Sequence, residues 1–171
     1  IIFNSDITFW DTSNVTNMSE MFRNAQVFNQ SIGVWDVSSV VDISQMFQNI
    51  SDFNQNLSEW NTSSITNMYG VFWGANNFNL SVNAWDVSNV TDMYFMFYDS
   101  DLNTCNYDKT LQGWSTLDLT PNVELFAIGI SYCDSETERQ SIIDNFGWTV
   151  DDGGLDCSDP CLTSGISELN T

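Results

Sequence analysis

Apolar side chains recur along the first hundred positions with a period of 25 residues. Tryptophans stand at Trp10, Trp35, Trp60 and Trp85, and Phe3, Phe28, Phe53 and Phe78 keep the same register. In phase with them run Ile7, Ile32, Leu57 and Val82, then Val15, Val40, Ile65 and Val90, and finally Phe22, Phe47, Phe72 and Phe97. A fixed period in the range of about 20–50 residues marks units that stack, each burying its apolar face against the next. No insertion breaks the period from Phe3 to Phe97, so every unit is expected to follow the same path.

Within one unit the spacing of apolar positions changes. Gln30 to Asp36 is short, with apolar residues on both sides of polar ones, which predicts a strand. From Val15 onward the apolar positions are 15, 18, 21, 22 and 25, which fits one face of one or two helical turns. Asp11 and Ser13 suit the intervening turn, because short polar side chains bond nearby backbone amides. The pattern therefore predicts an α/β solenoid: a right-handed coil of 25-residue units with short helices and a continuous parallel sheet, its strands about 4.8 Å apart.

Polar positions recur as well. One row is Asp11, Asp36, Asn61 and Asp86, and a second is Asn17, Asp42, Asn67 and Asp92. Neutral members interrupt the charged ones, which limits like-charge repulsion between stacked units. Asn4, Asn29, Asn54 and Asn79 are expected to form a buried amide ladder.

Composition narrows the function classes. Against 23 acidic residues there are three basic ones, Arg23, Lys109 and Arg139, and the net charge is −20. Such a chain lacks the cations that DNA, RNA or anionic lipid would require, and it favours calcium, cationic partners or a salty external medium. Histidine is absent, which removes histidine-based triads and ordinary zinc sites. No pair of carboxylates is singled out for glycoside hydrolysis, so no catalytic residues are assigned. No segment approaches the roughly 18 apolar residues of a membrane span.

After Ser100 the period stops. Asn106 to Trp114 reads as a helix capped by Asn106, and Val123 to Ile130 as a strand. Ser135 and Glu138 form a capping box for a helix ending near Phe146, with Gly147 as its stop, and Trp148 to Val150 reads as a strand. The organisation expected is four repeats plus the tail of a preceding one over 1–100, an α/β capping module over 101–156, and a linker over 157–171. Ile1 to Phe9 reads as that tail, so further domains of the same parent chain are expected. The four cysteines, Cys105, Cys133, Cys157 and Cys161, fit disulfides of a secreted chain. Proximity favours Cys105–Cys133 with Cys157–Cys161, and the other pairings stay open.

Two clusters are candidate sites. Tyr69, Trp73, Tyr94, Phe95 and Tyr98 gather late in the repeats, and Trp73 and Tyr94 do not recur in every unit. Aromatics that break a repeat point to a binding patch, or to contact with the capping module. Asp151, Asp152 and Asp156 are the nearest local approach to a calcium site, although an Asp-Gly turn explains the same residues.

The runs Trp35-Asp36-Val37-Ser38-Ser39-Val40 and Trp85-Asp86-Val87-Ser88-Asn89-Val90-Thr91-Asp92-Met93 resemble the bacterial surface-protein repeat of about 26 residues found in BspA-like leucine-rich-repeat proteins. Met21-Phe22 and Phe28-Asn29-Gln30 agree with the same motif. The resemblance covers about residues 3–100 and implies a leucine-rich-repeat-like fold on a secreted or surface-attached protein. The expected function is a non-catalytic, extracellular recognition or adhesion module for a protein or glycan, aided by calcium at most. The alternative is a structural spacer in a large extracellular protein or filament.

Overall fold

The computed structural model describes residues 2–158. It corrects the expected α/β leucine-rich-repeat-like solenoid. Among the described residues there are two α-helices, one 3-10 helix and one two-stranded parallel sheet. The α-helices, α1 (Thr104–Trp114) and α2 (Glu136–Phe146), both lie beyond the repeats. So do the strands, β1 (Glu124–Ala127) and β2 (Thr149–Asp152). Where the strand was expected, Ile32–Val34 forms the 3-10 turn. Where short helices were expected, the repeats run as consecutive turns.

The backbone shows why the helical spacing misleads. Every fourth residue of these turns sits in the left-handed region: Glu20 and Asn24, Gln45 and Asn49, Gly70 and Gly74, Phe95 and Asp99. Single left-handed residues at that interval interrupt any α-helix. The amides divide their bonds instead. In the first repeat Met18, Glu20, Phe22 and Asn24 donate to Asp42, Ser44, Met46 and Gln48 of the next, while Met21 and Arg23 donate to Met18 and Glu20. The same scheme joins Ile43, Gln45, Phe47 and Asn49 to the third repeat, and Met68, Gly70, Phe72 and Gly74 to the fourth. Isolated parallel bridges link Asn17, Asp42, Asn67 and Asp92 in one column.

Side chains stack in the same register. Phe22, Phe47, Phe72 and Phe97 lie 5.6–6.0 Å apart ring to ring and nearly parallel. Phe28, Phe53 and Phe78 form a second column beside them. Such pairs contribute about 0.5–1.5 kcal/mol each beyond the area they bury. Each interior tryptophan donates its indole N–H to a carbonyl 28 residues upstream: Trp35 to Ile7, Trp60 to Ile32 and Trp85 to Leu57. The asparagine ladder is present but not buried. The side chains of Asn4, Asn29 and Asn54 accept from the amides of Asn29, Asn54 and Asn79 on the exposed surface.

The C-terminal segment continues these contacts with other elements. Asn103 donates its amide to Asn79 and caps α1 by accepting from the Asn106 amide. Asn103, rather than Asn106, is therefore the cap. Trp114 of α1 donates to Val82 and stacks on Phe97, so a helix supplies the next member of the indole column. Leu125 of β1 bridges Met93, and β1 pairs in parallel with β2, Glu124 opposite Thr149.

Gly113 shows how closely α1 seats on the last repeat, since a Cβ there would lie 2.3 Å from the Asn83 carbonyl oxygen. Gly→Ala inside a helix ordinarily stabilises by about 1 kcal/mol. Gly113→Ala is instead expected to destabilise by about 1–3 kcal/mol through overpacking, read as a lowered urea midpoint. An unchanged or raised midpoint would contradict this packing.

The α2 prediction holds at its C-terminus, where Gly147 takes the left-handed conformation (φ 68°). Its capping box does not form. Ser135 makes no capping bond and donates its hydroxyl to Asp108 at 2.6 Å. The proximity pairing of the cysteines is also corrected, because Cys133 is bonded to Cys157, with Cα atoms 5.0 Å apart. Cys105 is disulfide-bonded too. Cys161 and the rest of the expected linker beyond Ser158 lie outside the described residues.

Candidate ligand-binding site

The structure brings the five candidate aromatics together and adds a sixth. Tyr69 and Tyr94 stack at 6.4 Å between neighbouring repeats. Phe95 lies against Tyr94, Trp73 and Tyr98 at 4.3, 5.1 and 5.2 Å. Phe126 of β1 meets Tyr94 at 4.1 Å and Phe95 at 5.8 Å. All six rings are half-buried. Phe126 brings the C-terminal segment onto the cluster, which remains partly open to solvent.

The sequence carried a signal for Phe126. In β1, Leu125 and Ala127 point into the core, and Phe126 alternates outward between them. A large aromatic on the outward face of a short strand needs something to lie on.

Phe95 stands out by its backbone. Its φ is +58°, and its counterparts in earlier repeats are Glu20, Gln45 and Gly70. Holding a bulky residue there costs about 1–3 kcal/mol, and such strain gathers at functional sites.

Beside the rings lies a cavity of about 370 Å³ lined by Tyr69, Thr91, Asp92, Tyr94, Asn122 and Glu124. Asp92 accepts from the Tyr94 amide, as Asn67 does from Tyr69 one repeat earlier. Among the described residues Glu124 has no side-chain hydrogen bond or ion pair, and no basic side chain lines the cavity.

The calcium candidates are arranged for other work. Asp152 pairs with Arg139 at 2.7 Å and accepts from the Tyr107 hydroxyl at 3.0 Å. The Tyr107 phenol is buried, and burial beside Asp152 pushes its pKa well above the usual value. Asp151 is exposed. Asp156 accepts from the Ser158 amide, a bond that lowers its pKa. Among the described residues no group of three or more His, Cys, Asp or Glu is placed to hold a metal. In the first polar row, Asp11 and Asp36 accept from the hydroxyls and amides of Ser13 and Ser38, which lower their pKa values. Those carboxylates are turn acceptors.

A larger apolar hollow, about 630 Å³, is lined by Phe9, Trp10, Val15, Met18 and Met21. It is the uncovered side of the first repeat. Trp10 is 45 % exposed there, whereas Trp60, stacked between repeats, is 2 % exposed.

No curated protein and no solved structure matches the chain. A family model does match, over residues 2–114, which takes in the stacked turns and α1 through Trp114. The family is described as a Mycoplasma protein of unknown function, DUF285, and the chain belongs to it.

Proposed function

We propose that this chain is a non-catalytic recognition module of an extracellular or cell-surface protein. Its stacked repeats would hold a half-exposed aromatic patch rigidly toward a partner protein or glycan. One observation carries the reading: six rings meet at a surface where the repeat pattern is broken, and one of them occupies a strained backbone position. The disulfide-bonded cysteines fit an oxidising compartment. The motif likeness to BspA-like surface proteins agrees with that location. The spacer reading draws on the exposed asparagine ladder, which is uniform and polar.

Capture by immobilised glycans and extracellular proteins tests the proposal, with chelator and without. Trp73→Ala combined with Tyr94→Ala is expected to weaken capture at least about tenfold, in line with the loss of two central aromatic anchors. Phe95→Gly is expected to weaken it as well, with a loss of Tm smaller than the lost ring contacts alone would give, because relief of the left-handed strain offsets part of them. A merely structural Phe95 would leave capture intact. Absence of any capture would favour the spacer.

A further inference from the structure

Resting on that reading, we infer that the patch takes a basic polypeptide segment, with an arginine or lysine over the Tyr69 and Tyr94 rings and its charge against Asp92 and Glu124. The chemistry of the cavity is two phenol rings beside two carboxylates. Cations bind aromatic faces through the ring quadrupole, and a guanidinium also forms paired hydrogen bonds to a carboxylate. An acceptor-rich, uncompensated cavity selects a ligand that brings donors and positive charge.

The protein already contains this arrangement once. Arg139 lies 5.1 Å over the Tyr132 ring while its guanidinium bonds Asp152 at 2.7 Å. A tyrosine and a carboxylate, Tyr94 and Asp92, also line one cavity together at the surface, and among the described residues no basic side chain lines it. Of its three basic residues, Arg139 is engaged there, Arg23 pairs with Glu20, and Lys109 sits on α1. The net charge of −20 adds long-range attraction for a basic segment and repels anionic glycans. A neutral sugar would use the rings and leave the Glu124 carboxylate without a counter-charge.

The test titrates fluorescein-labelled (Arg-Gly-Ser)3 into the whole domain, beside (Gln-Gly-Ser)3 and neutral chitohexaose and xylohexaose. The arginine peptide is expected to bind, and to weaken about tenfold or more between low salt and roughly 0.3 M salt. Asp92→Asn with Glu124→Gln should weaken it at least about tenfold, as loss of close charge pairs does. Asn67 makes the same turn bond that Asp92 makes, so the Asn variant keeps the backbone in place. Glu136→Gln with Asp144→Asn removes equal charge from a different hollow on α2 and should leave binding unchanged. Equal losses from both double variants would mean diffuse charge attraction and overturn the proposal. Binding of a neutral hexasaccharide that depends on Trp73 and Tyr94, with the arginine peptide no better than its glutamine analogue, would overturn the basic ligand and leave the recognition module standing. Failure of every probe together with an empty capture screen would overturn both.

Discussion

Trp85→Ala is expected to lower stability by about 3–5 kcal/mol, the range for truncating a buried tryptophan. The side chain is 1 % exposed and packs the last repeat onto the third. It stacks on Trp60 at 6.0 Å, touches Phe72 at 5.8 Å and donates to the Leu57 carbonyl at 3.0 Å. Alanine would leave a cavity that the neighbouring turns, tied by backbone bonds on both sides, cannot close. Trp85→Phe separates the two contributions. It keeps a ring in the column but leaves the Leu57 carbonyl without its indole donor, an effect of about 1–3 kcal/mol. Urea unfolding would measure both variants. A midpoint for Trp85→Ala close to the wild-type one would show that the indole column does not hold the repeats together.

Asp108→Asn is the second large effect, expected at about 2–5 kcal/mol. Asp108 of α1 is 2 % exposed and is surrounded by donors. Its carboxylate accepts from the amides of Cys133 and Asp134 and from the Ser135 hydroxyl. An amide in its place presents an NH2 group to a pocket that has only donors to offer, or else leaves one of them unpaired. Ser135→Ala removes one donor and is expected to cost about 1 kcal/mol. If Asp108→Asn proved no worse than Ser135→Ala in urea unfolding, the carboxylate would not be the hub that fixes the Cys133–Ser135 turn to α1.

These two residues mark what the sequence makes legible. Trp85 announces itself, because a large side chain at a constant interval has one physical cause, stacking of equal units. The buried rows read from the period, such as Phe22 to Phe97 and Val40 to Val90, are core. What fails is the local conformation. Apolar spacings of three and four also arise from successive tight turns, and side-chain periodicity does not report the sign of φ. The glycines at 70 and 74 are the visible trace of the left-handed positions, but Glu20, Gln45 and Phe95 hide the rule elsewhere.

Asp108 is invisible for a different reason. Its partners lie some 25 residues away, beyond a turn and a strand, and no local pattern marks a carboxylate as an acceptor for a distant loop. The same distance explains the cysteine pairing. Proximity along the chain favours Cys157 with Cys161, whereas the fold brings Cys157 to Cys133. In the patch, the five repeat-borne aromatics could be found because they depart from a known rule. Phe126 belongs to no repeat, and only tertiary structure brings it to Tyr94.

The division of backbone bonds in the repeats has an evolutionary corollary. Four amides in each of the first three repeats reach carbonyls of the next, so the donors of one turn must meet the acceptors of its neighbour tooth by tooth. Insertion of a single residue shifts that gearing through the whole unit and turns buried side chains outward. Duplication or deletion of a complete unit leaves every tooth engaged. Change of length by whole units is therefore compatible with this bonding scheme, while an insertion within a unit is not. Length would thus change in whole steps, and the aromatic cluster around Phe95 would keep its contacts with β1.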